Sequence, residues 1–465
     1  MRLVAWSRWV VARVLLACVG VMCALPAQVA LAHGRPLGVN QLFRVGGRNV
    51  LFTTRGAVLE GADGVYRWSC SRAYGDTGQA LIPNLGLTAS GTLVVGTIAG
   101  LYRRAPGACL WTRAPGALEF MFVGDVYALP VAGASVFAVT ADPVPDNLVA
   151  RSDDDGVSFA VVSVGNVRLQ SVRVAPSDPQ RVYAAGFTPG ETPLATPAGV
   201  LLASVDGGQS FAPLSVPLET GELTVVVTHV PSADASAVWL RTVTARLSES
   251  PPERLLRVDA MTGDVTELLE RRQLRGATEA SGDDGAAWVI SAPEGDQGGL
   301  LRVASDGQVS IEDASLDATC VLEEGGVLYA CPLPRTGQTS ALIQSTDGGR
   351  SFVRVLGFEE VVTEDGCSAS DPVDANTCAA DFGDLVRDSG ALVTEPPPVR
   401  SMAGCAAMGG APQLRWLELA GLGALLLAMR GRRPCGGWPR RRAAQTCGHL
   451  CRKRSMLGRC GGSLE

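Results

Sequence analysis

Three aspartates occupy the same position in an eight-residue phrase that the chain uses three times. The phrase is Ser-x-Asp-x-Gly-x-x-Phe, and it is formed by Ser152, Asp154, Gly156 and Phe159, by Ser204, Asp206, Gly208 and Phe211, and by Ser345, Asp347, Gly349 and Phe352. Carboxylates of this kind could bind calcium or act as catalytic acids. Because the phrase recurs along the chain, we expect each aspartate to bond backbone N–H groups of its own turn.

The phrase predicts a tight turn between two β-strands. Glycine adopts positive φ at little cost, and the aromatic residue enters the next strand and packs between sheets. The three copies resemble the Asp-box, or BNR repeat, of sialidase-like and sortilin-like β-propellers, and residues 175–184 resemble the segment that precedes such a box. The resemblance implies a propeller fold. It does not imply a particular reaction or ligand.

The position of the box aromatic recurs over seven units. It is occupied by Trp68, Trp111, Phe159, Phe211, Val265, Val309 and Phe352, in steps of 43 to 54 residues. Residues 281–288 also fit the phrase, but Trp288 lies half a unit out of register and predicts an ordinary turn before a strand. We therefore predict an all-β fold, a seven-bladed propeller of four-stranded blades over residues 33–358.

Six cysteines fall in or just after the predicted propeller, and an even number in an exported chain predicts disulfides. Cys320 and Cys331 lie opposite each other about a predicted two-residue turn, Gly325-Gly326. Opposed Cα atoms in such a hairpin are about 4.5–5.5 Å apart, which is within disulfide range.

The pairing of the other four cysteines is open, because six cysteines allow 15 pairings and geometry argues for only one bond. We expect Cys367 and Cys378 to close a short loop after the seventh unit. Cys70 and Cys109 remain, and a bond between them would tie the first two units. Neither these cysteines nor the box aspartates predict a metal site.

No set of residues predicts a catalytic centre. A sialidase would require an early Phe/Tyr-Arg-Ile-Pro motif, and the nearest segment, Phe43-Arg44-Val45-Gly46, lacks Ile-Pro. The acidic pairs Glu323-Glu324 and Glu359-Glu360 are predicted to face solvent in a turn and just past a strand. His229 follows an apolar strand and is predicted to pack at its end. We therefore assign no catalytic residue, no cofactor and no metal.

The N-terminal segment is typical of a secretory signal. Residues 1–32 combine Arg2 and Arg8 with a long apolar stretch and the cleavage site Ala30-Leu31-Ala32. The mature chain is then expected to begin at His33. The alternative is an uncleaved N-terminal anchor.

The C-terminal segments predict that the chain is attached to the cell surface. Residues 359–400 form a cysteine-containing extension and a proline-rich linker, and residues 401–433 contain Cys405, an apolar run and an arginine cluster. The latter arrangement resembles the C-terminal sorting signal of myxobacterial surface proteins, which implies processing near Cys405 and surface attachment. Residues 434–465 depart from that pattern, because they continue the chain beyond the arginine cluster. We interpret them as a disordered basic tail or as a translated frameshift. Its four cysteines and His449 are poorly spaced for zinc.

Charge excludes one class of partner. Residues 33–414 hold 26 arginines and 44 acidic residues, a net charge of −18, whereas ten basic residues follow from Arg430 onward. An acidic body argues against nucleic acid, and a basic end after an apolar run fits retention at a membrane.

These observations predict an exported module at the cell surface or outer envelope of a Gram-negative bacterium, with release as an alternative. We expect a binding or scaffold propeller for an unknown protein or glycan ligand. The alternative is a glycan-processing hydrolase on the same frame. Clustered arginine and glutamate or tyrosine at the channel mouth would favour the hydrolase, and a neutral or mixed lining would favour the binding module.

Overall fold

The computed structural model describes residues 37–75, 83–129, 131, 133–143, 146–190, 197–244, 251–282, 285–333, 339–363, 381–383 and 385. The chain divides after Thr394, and every described residue lies in the first unit, Met1–Thr394. The predicted signal segment, proline-rich linker, sorting segment and basic tail lie outside the described residues. So do Cys367, Cys378 and Cys405.

Among the described residues, twenty-eight strands form seven antiparallel blades of four consecutive strands each, and one further short strand is added to the sheet of the first blade. Blade one contains β1 (Val39–Val45), β2 (Arg48–Thr53), β3 (Gly56–Glu60) and β4 (Tyr66–Cys70); blade two contains β5 (Asn84–Leu87), β6 (Leu93–Thr97), β7 (Gly100–Arg104) and β8 (Thr112–Arg113); blade three contains β9 (Val123–Ala128), β10 (Val136–Thr140), β11 (Leu148–Ser152) and β12 (Ala160–Ser163). Blade four contains β13 (Arg168–Ala175), β14 (Asp178–Thr188), β15 (Ala198–Ser204) and β16 (Ala212–Val216); blade five contains β17 (Glu222–His229), β18 (Ala237–Thr244), β19 (Glu253–Asp259) and β20 (Val265–Arg271). Blade six contains β21 (Ala277–Glu279), β22 (Ala287–Ser291), β23 (Gly299–Val303) and β24 (Val309–Asp313); blade seven contains β25 (Ala318–Glu324), β26 (Val327–Pro332), β27 (Ser340–Ser345) and β28 (Val353–Gly357).

Burial follows the position of a strand within its blade. Second strands such as β6, β10 and β22 are buried along their whole length, because both faces of the blade pack against neighbours. Their sequences are accordingly rich in valine, leucine, isoleucine and aromatic residues. Fourth strands such as β12 are largely exposed, since they form the rim of the ring, whereas β4 is mostly buried.

The apolar core is divided between the blades. The described residues form seven buried apolar clusters, one at each interface between consecutive blades, and the seventh joins blade seven to blade one. The ring is therefore closed. The prediction of an all-β, seven-bladed propeller with four-stranded blades is confirmed.

The segment after blade seven returns to the rim of blade one. A short strand, β29 (Val362–Thr363), pairs in parallel with β4, so that Val362 lies opposite Arg67. Beyond it, Asp381 forms an ion pair with Arg72 at 2.7 Å, and the Phe382 ring packs on Trp68 at 5.6 Å. The extension predicted from residue 359 thus begins with contacts that reinforce ring closure.

The repeat phasing is confirmed by the fourth strands. Trp68, Val265 and Val309 lie on fourth strands, and Phe159, Phe211 and Phe352 immediately precede theirs, as Trp111 does. Trp288 lies on β22, a second strand, which explains why the phrase at residues 281–288 is out of register.

The predicted hairpin in blade seven is also confirmed. Glu324 pairs with Val327 across Gly325-Gly326, whose φ angles of 61° and 79° suit a two-residue turn. Cys320 lies opposite Cys331 with a Cα–Cα distance of 5.1 Å, and the two form a disulfide.

Cys70 and Cys109 are disulfide-bonded as well. Cys70 is buried in the apolar cluster between blades one and seven. Cys109 lies two residues before Trp111, which packs against the cluster between blades one and two. The pairing of Cys70 with Cys109 stays a prediction.

Candidate functional site

Each box turn is closed by its own aspartate, as the turn at Asp206 illustrates. The Ser204 hydroxyl donates to Asp206 Oδ1 at 2.7 Å and accepts from the Gly208 amide at 2.8 Å. The amides of Gln209 and Ser210 both donate to Asp206 Oδ1 at 2.9 Å. The Ser210 hydroxyl donates to Asp206 Oδ2 at 2.5 Å. Both carboxylate oxygens are therefore engaged within the turn.

The same bonds recur in the other two box turns. Ser158 donates its amide and hydroxyl to Asp154 at 2.9 and 2.5 Å, and Ser351 donates to Asp347 at 3.0 and 2.5 Å. The Ser158 hydroxyl is the main cause that lowers the pKa of Asp154 to about 2. The matching serine hydroxyls hold the pKa values of Asp206 and Asp347 well below their usual range.

The box glycines lie directly against the preceding blade. A Cβ at Gly208 would stand 2.8 Å from the Phe137 ring of blade three, and one at Gly349 would stand 2.4 Å from Leu300 of blade six. At Gly156 the distance to Val94 of blade two would be 3.1 Å. These glycines therefore provide close approach as well as positive φ.

Arginines of the preceding blade bond the backbone of two box turns. Arg103 Nε donates to the Asp155 carbonyl at 2.8 Å, and Arg151 donates to the Gly207 carbonyl at 2.7 Å. The aromatic residues that follow, Phe159, Phe211 and Phe352, pack half-buried against interblade clusters. The three turns lie on three separate blades and do not converge on one site.

The seven first strands surround a central channel that holds a cavity of about 490 Å³. Its lining is mixed. Amide and hydroxyl side chains such as Gln41, Asn84, Gln170 and Thr278 alternate with apolar side chains such as Val226. A cavity of this size with a few convergent polar groups is the usual form of a ligand site.

An ion pair lies between blades three and four of the channel. Asp125 on β9 accepts from Arg173 at 2.6 Å and from the Val172 amide at 3.0 Å. Burial raises the pKa of Asp125 and of Tyr127, and the Arg173 guanidinium opposes both effects. Arg173 also lies over the Tyr127 ring, 5.1 Å from its centroid. The guanidinium is thus fixed by a carboxylate and an aromatic face.

The remaining charged groups of the described lining also have partners of their own. Arg241 pairs with Glu253 at 3.4 Å, and Arg275 pairs with Asp317 at 2.5 Å. Glu279 accepts hydrogen bonds from the amide and the hydroxyl of Ser232. No arginine in this part of the channel is left with an uncompensated charge.

His229 ends β17 and is 8% exposed, its ring packed edge-on against Trp239 at 5.7 Å. Burial lowers the pKa of His229 to about 4, which keeps the imidazole neutral at physiological pH. Its Nε2 has no hydrogen-bond partner among the described residues. A neutral, packed imidazole agrees with the role that the sequence predicts.

The other candidate acids lie in structural contacts. Glu323 accepts from the Trp288 indole N–H and from the Ser281 amide, so it is not simply a solvated side chain. Glu324 pairs with Arg44, the arginine of the segment that lacks Ile-Pro. Glu359 and Glu360 both pair with Arg354.

Two kinds of feature are absent from the described residues. No group of three or more histidine, cysteine or acidic side chains in this part of the chain is placed to hold a metal ion. No helix within the same residues is both long enough and apolar enough to cross a membrane.

The channel residues were not identified from the sequence. They are single polar side chains on or just before the first strand of each blade, about 45 residues apart, and nothing marks them locally. The repeat phasing could have found them, because it locates the first strand of every blade and each polar residue there becomes a candidate for the channel.

Comparison with known proteins identifies no family for this chain. No family model matches the chain, and no curated protein matches its sequence. The solved structures similar to it include a GH74 enzyme of Niastella koreensis, with 14% identity, a TM-score of 0.43, and coverage of 63% of this chain and 42% of that one. An ancestral GH74 enzyme has 11% identity, a TM-score of 0.40 and coverage of 69% and 54%. A structure of YCF48 bound to D1 peptide has 12% identity, a TM-score of 0.38 and coverage of 58% and 80%.

The chain spans about half the length of the two GH74 enzymes that it matches. At these identities and scores the similarity adds no information on activity. What the structure itself establishes is a seven-bladed β-propeller.

Proposed function

We propose that this chain is an exported, surface-anchored β-propeller that acts as a binding or scaffold module. The observation that carries the proposal is the mixed lining of the channel, in which the charged side chains are engaged by the protein itself. The channel lining contains two carboxylates among the described residues, Asp125 and Glu279. They lie three blades apart, and each already accepts at least two hydrogen bonds. Two glycosidase carboxyls, by contrast, flank one bond about 5–10 Å apart and must be free to act on it.

A hydrolase remains the second candidate because one observation favours it. Tyr127 lies beside Arg173 in the channel, and the sialidase resemblance implies a tyrosine and arginines in the active site. The arginines of this chain differ from such a set, since Arg173, Arg241 and Arg275 are each compensated by a separate carboxylate. That arrangement supports the binding module.

A hydrolysis assay separates the two candidates. We expect the purified full chain to release no fluorophore from a panel of methylumbelliferyl glycosides, including a sialoside. Turnover that is abolished by Tyr127→Phe or Asp125→Asn, and retained in the exposed control Gln308→Ala, would establish the hydrolase instead.

The proposal places the propeller outside the cytoplasm and attaches it by its C-terminal segment. Support comes from the cleavage site Ala30-Leu31-Ala32, from Cys405 with its apolar run, and from the basic residues that follow. The stiff linker at Pro396-Pro397-Pro398 would hold the ring away from the surface. On this proposal, residues 401–433 attach the chain to the membrane.

Fractionation of three chains tests this attachment. A chain that ends at Val399 should be secreted in soluble form, whereas the full chain should fractionate with membranes or the cell surface. A chain that lacks only residues 434–465 should stay attached, because the basic tail lies beyond the sorting segment. Equal solubility of the full chain and the chain that ends at Val399 would contradict the anchor.

The hydrogen bonds of the three turns support the proposal that these are Asp-box repeats. In each turn the serine, the aspartate and the glycine of the phrase make the same bonds, and the aromatic residue packs on an interblade cluster. On this proposal the boxes are structural and the ligand site lies elsewhere.

A further inference from the structure

The channel lining combines polar and apolar side chains around the whole ring. One set of polar side chains lies on the first strands of blades one to four and consists of Gln41, Asn84, Tyr127, Gln170 and Arg173; we call it the polar arc. Blades five to seven contribute apolar side chains such as Val226 and Leu322 together with polar ones, which are Thr228, His229, Arg241, Arg275, Thr278, Glu279 and Thr319. A ligand that fills the channel therefore meets hydrogen-bonding groups on every side, with apolar side chains between them.

The polar arc holds hydrogen-bonding capacity that the protein does not use. Gln41 Oε1 accepts from the Leu85 amide at 2.8 Å, which leaves its NH₂ group as a donor. Asn84 donates to the Gly124 carbonyl at 2.5 Å, which leaves its Oδ1 as an acceptor. The Tyr127 hydroxyl and the Gln170 amide have no hydrogen-bond partner among the described residues, and both side chains are only half-buried.

Three members of the polar arc are oriented by contacts inside the ring. The Gln41 and Asn84 amides are fixed by backbone partners on the neighbouring blade. Arg173 donates through Nη1 to Asp125 and to the carbonyl of the preceding residue, Val172, and its other nitrogens make no hydrogen bond with a described residue. Donors and acceptors are thus held in place before a ligand arrives, which lowers the entropic cost of binding.

The charged groups of the channel do not favour an anionic ligand. Three arginines of the lining, Arg173, Arg241 and Arg275, already face the carboxylates of Asp125, Glu253 and Asp317. Glu279 adds one further carboxylate, which accepts hydrogen bonds from Ser232. A carboxylate or phosphate ligand would therefore have to compete with a carboxylate of the protein for each of these arginines.

We propose that the channel binds a neutral, hydroxyl-rich ligand, a sugar unit of an uncharged glycan. A pyranose ring carries hydroxyls at its edge and C–H groups on its faces, which match the hydrogen-bonding groups and the apolar side chains that together line the channel. The cavity of about 490 Å³ lies within the range of small-ligand sites. This inference rests on the proposed binding function, because it assigns the ligand class of that same channel.

The test measures binding of sugars to the full chain by saturation-transfer NMR and isothermal titration. The probes are cellobiose, diacetylchitobiose and lactose, with sialyllactose as the charged counterpart of lactose. We expect at least one neutral probe to bind, and lactose to bind no more weakly than sialyllactose. Tyr127→Phe and Gln170→Ala should each weaken binding of that probe about five- to tenfold, since each removes one hydrogen bond.

Gln308→Ala is the matched control, because Gln308 is exposed in a turn outside the channel. Unfolding curves of all variants confirm that weakened binding does not come from loss of the fold. Three results would overturn the inference: no neutral probe binds, sialyllactose binds tighter than lactose, or a neutral probe binds equally well to both channel variants. The last would leave a binding propeller with its site elsewhere. Hydrolysis of a bound probe would contradict the proposed function itself.

Discussion

The box turns and the channel lining use their side chains in opposite ways. Asp154, Asp206 and Asp347 make the same set of bonds in three blades, each within one turn at the rim. The channel instead takes a different side chain from each blade, among them Gln41, Asn84 and Asp125. Contacts that repeat serve the structure that all blades share. Side chains that differ between blades are the ones that one ligand can distinguish, so function is expected in the channel.

The largest effect should come from a box glycine. Gly348 and Gly349 are adjacent, and both have positive φ, 75° and 87°, but only a Cβ at Gly349 would meet Leu300. We expect Gly349→Ala to lower the free energy of unfolding by about 2–5 kcal/mol, because backbone strain adds to overpacking. Gly348→Ala, the control, should cost about 1–2 kcal/mol from strain alone. Equal losses in urea denaturation would show that the box turn does not pack on the preceding blade.

A second prediction concerns acid. The box aspartates have pKa values below the unfolded value of 3.8, and that of Asp154 is about 2. A depressed pKa contributes stability above the unfolded pKa, and this stability is lost as the pH falls through the folded one. We therefore expect the thermal midpoint to fall between about pH 4 and pH 2.

A triple variant isolates the box carboxylates from other acids. Asp154→Asn, Asp206→Asn and Asp347→Asn together should reduce the slope of midpoint against pH in that window, since asparagine does not titrate. Calcium should have no effect on either protein. An unchanged slope, or a midpoint that depends on calcium only in the wild type, would contradict the structural role of the boxes.

A smaller effect is expected at the contact between blades three and four. Arg151 donates to the Gly207 carbonyl and pairs with Asp153. Arg151→Ala should lower the free energy of unfolding by about 1 kcal/mol, the usual worth of such a bond. Arg350→Ala is the control, because Arg350 is exposed in a box turn and its side chain forms no hydrogen bond or ion pair with another described residue. If Arg350→Ala lowered the free energy of unfolding as much as Arg151→Ala does, the bond between Arg151 and the Gly207 carbonyl would not explain the loss.

The smallest effect on stability should come from the channel itself. Tyr127→Phe removes a hydroxyl without a partner among the described residues, so the free energy of unfolding should change by less than about 0.5 kcal/mol. Gln170→Ala should behave similarly. Circular dichroism melts of both variants check this. A loss comparable to that of Gly349→Ala would mean that the polar arc is structural.

The sequence was sufficient for features that depend on local spacing. The blade count followed from one aromatic position per unit, and the Cys320–Cys331 bond followed from counting outward from Gly325-Gly326, because strand register is set by the turn. Blades five and six were recovered although Val265 and Val309 replace the aromatic, since the spacing persists.

Features that depend on ring closure could not be predicted from the sequence. Asp125 and Arg173 are 48 residues apart and meet only when blades three and four pack side by side. The pairing of β29 with β4 joins segments almost 300 residues apart, and a two-residue strand carries no periodic signal. The polar arc has the same origin, because its members share no local pattern.

The most direct test of the central claim measures affinity in two variants, one from each region. It uses the neutral disaccharide that binds the wild-type full chain, at a temperature below both unfolding midpoints. The account predicts that Asp206→Ala binds with wild-type affinity, because the box turn at Asp206 only stabilises the fold, whereas Gln170→Ala binds about five- to tenfold more weakly. If Asp206→Ala bound the disaccharide more weakly and Gln170→Ala bound it normally, the result would contradict the claim that the box turns are structural and that the channel binds the ligand.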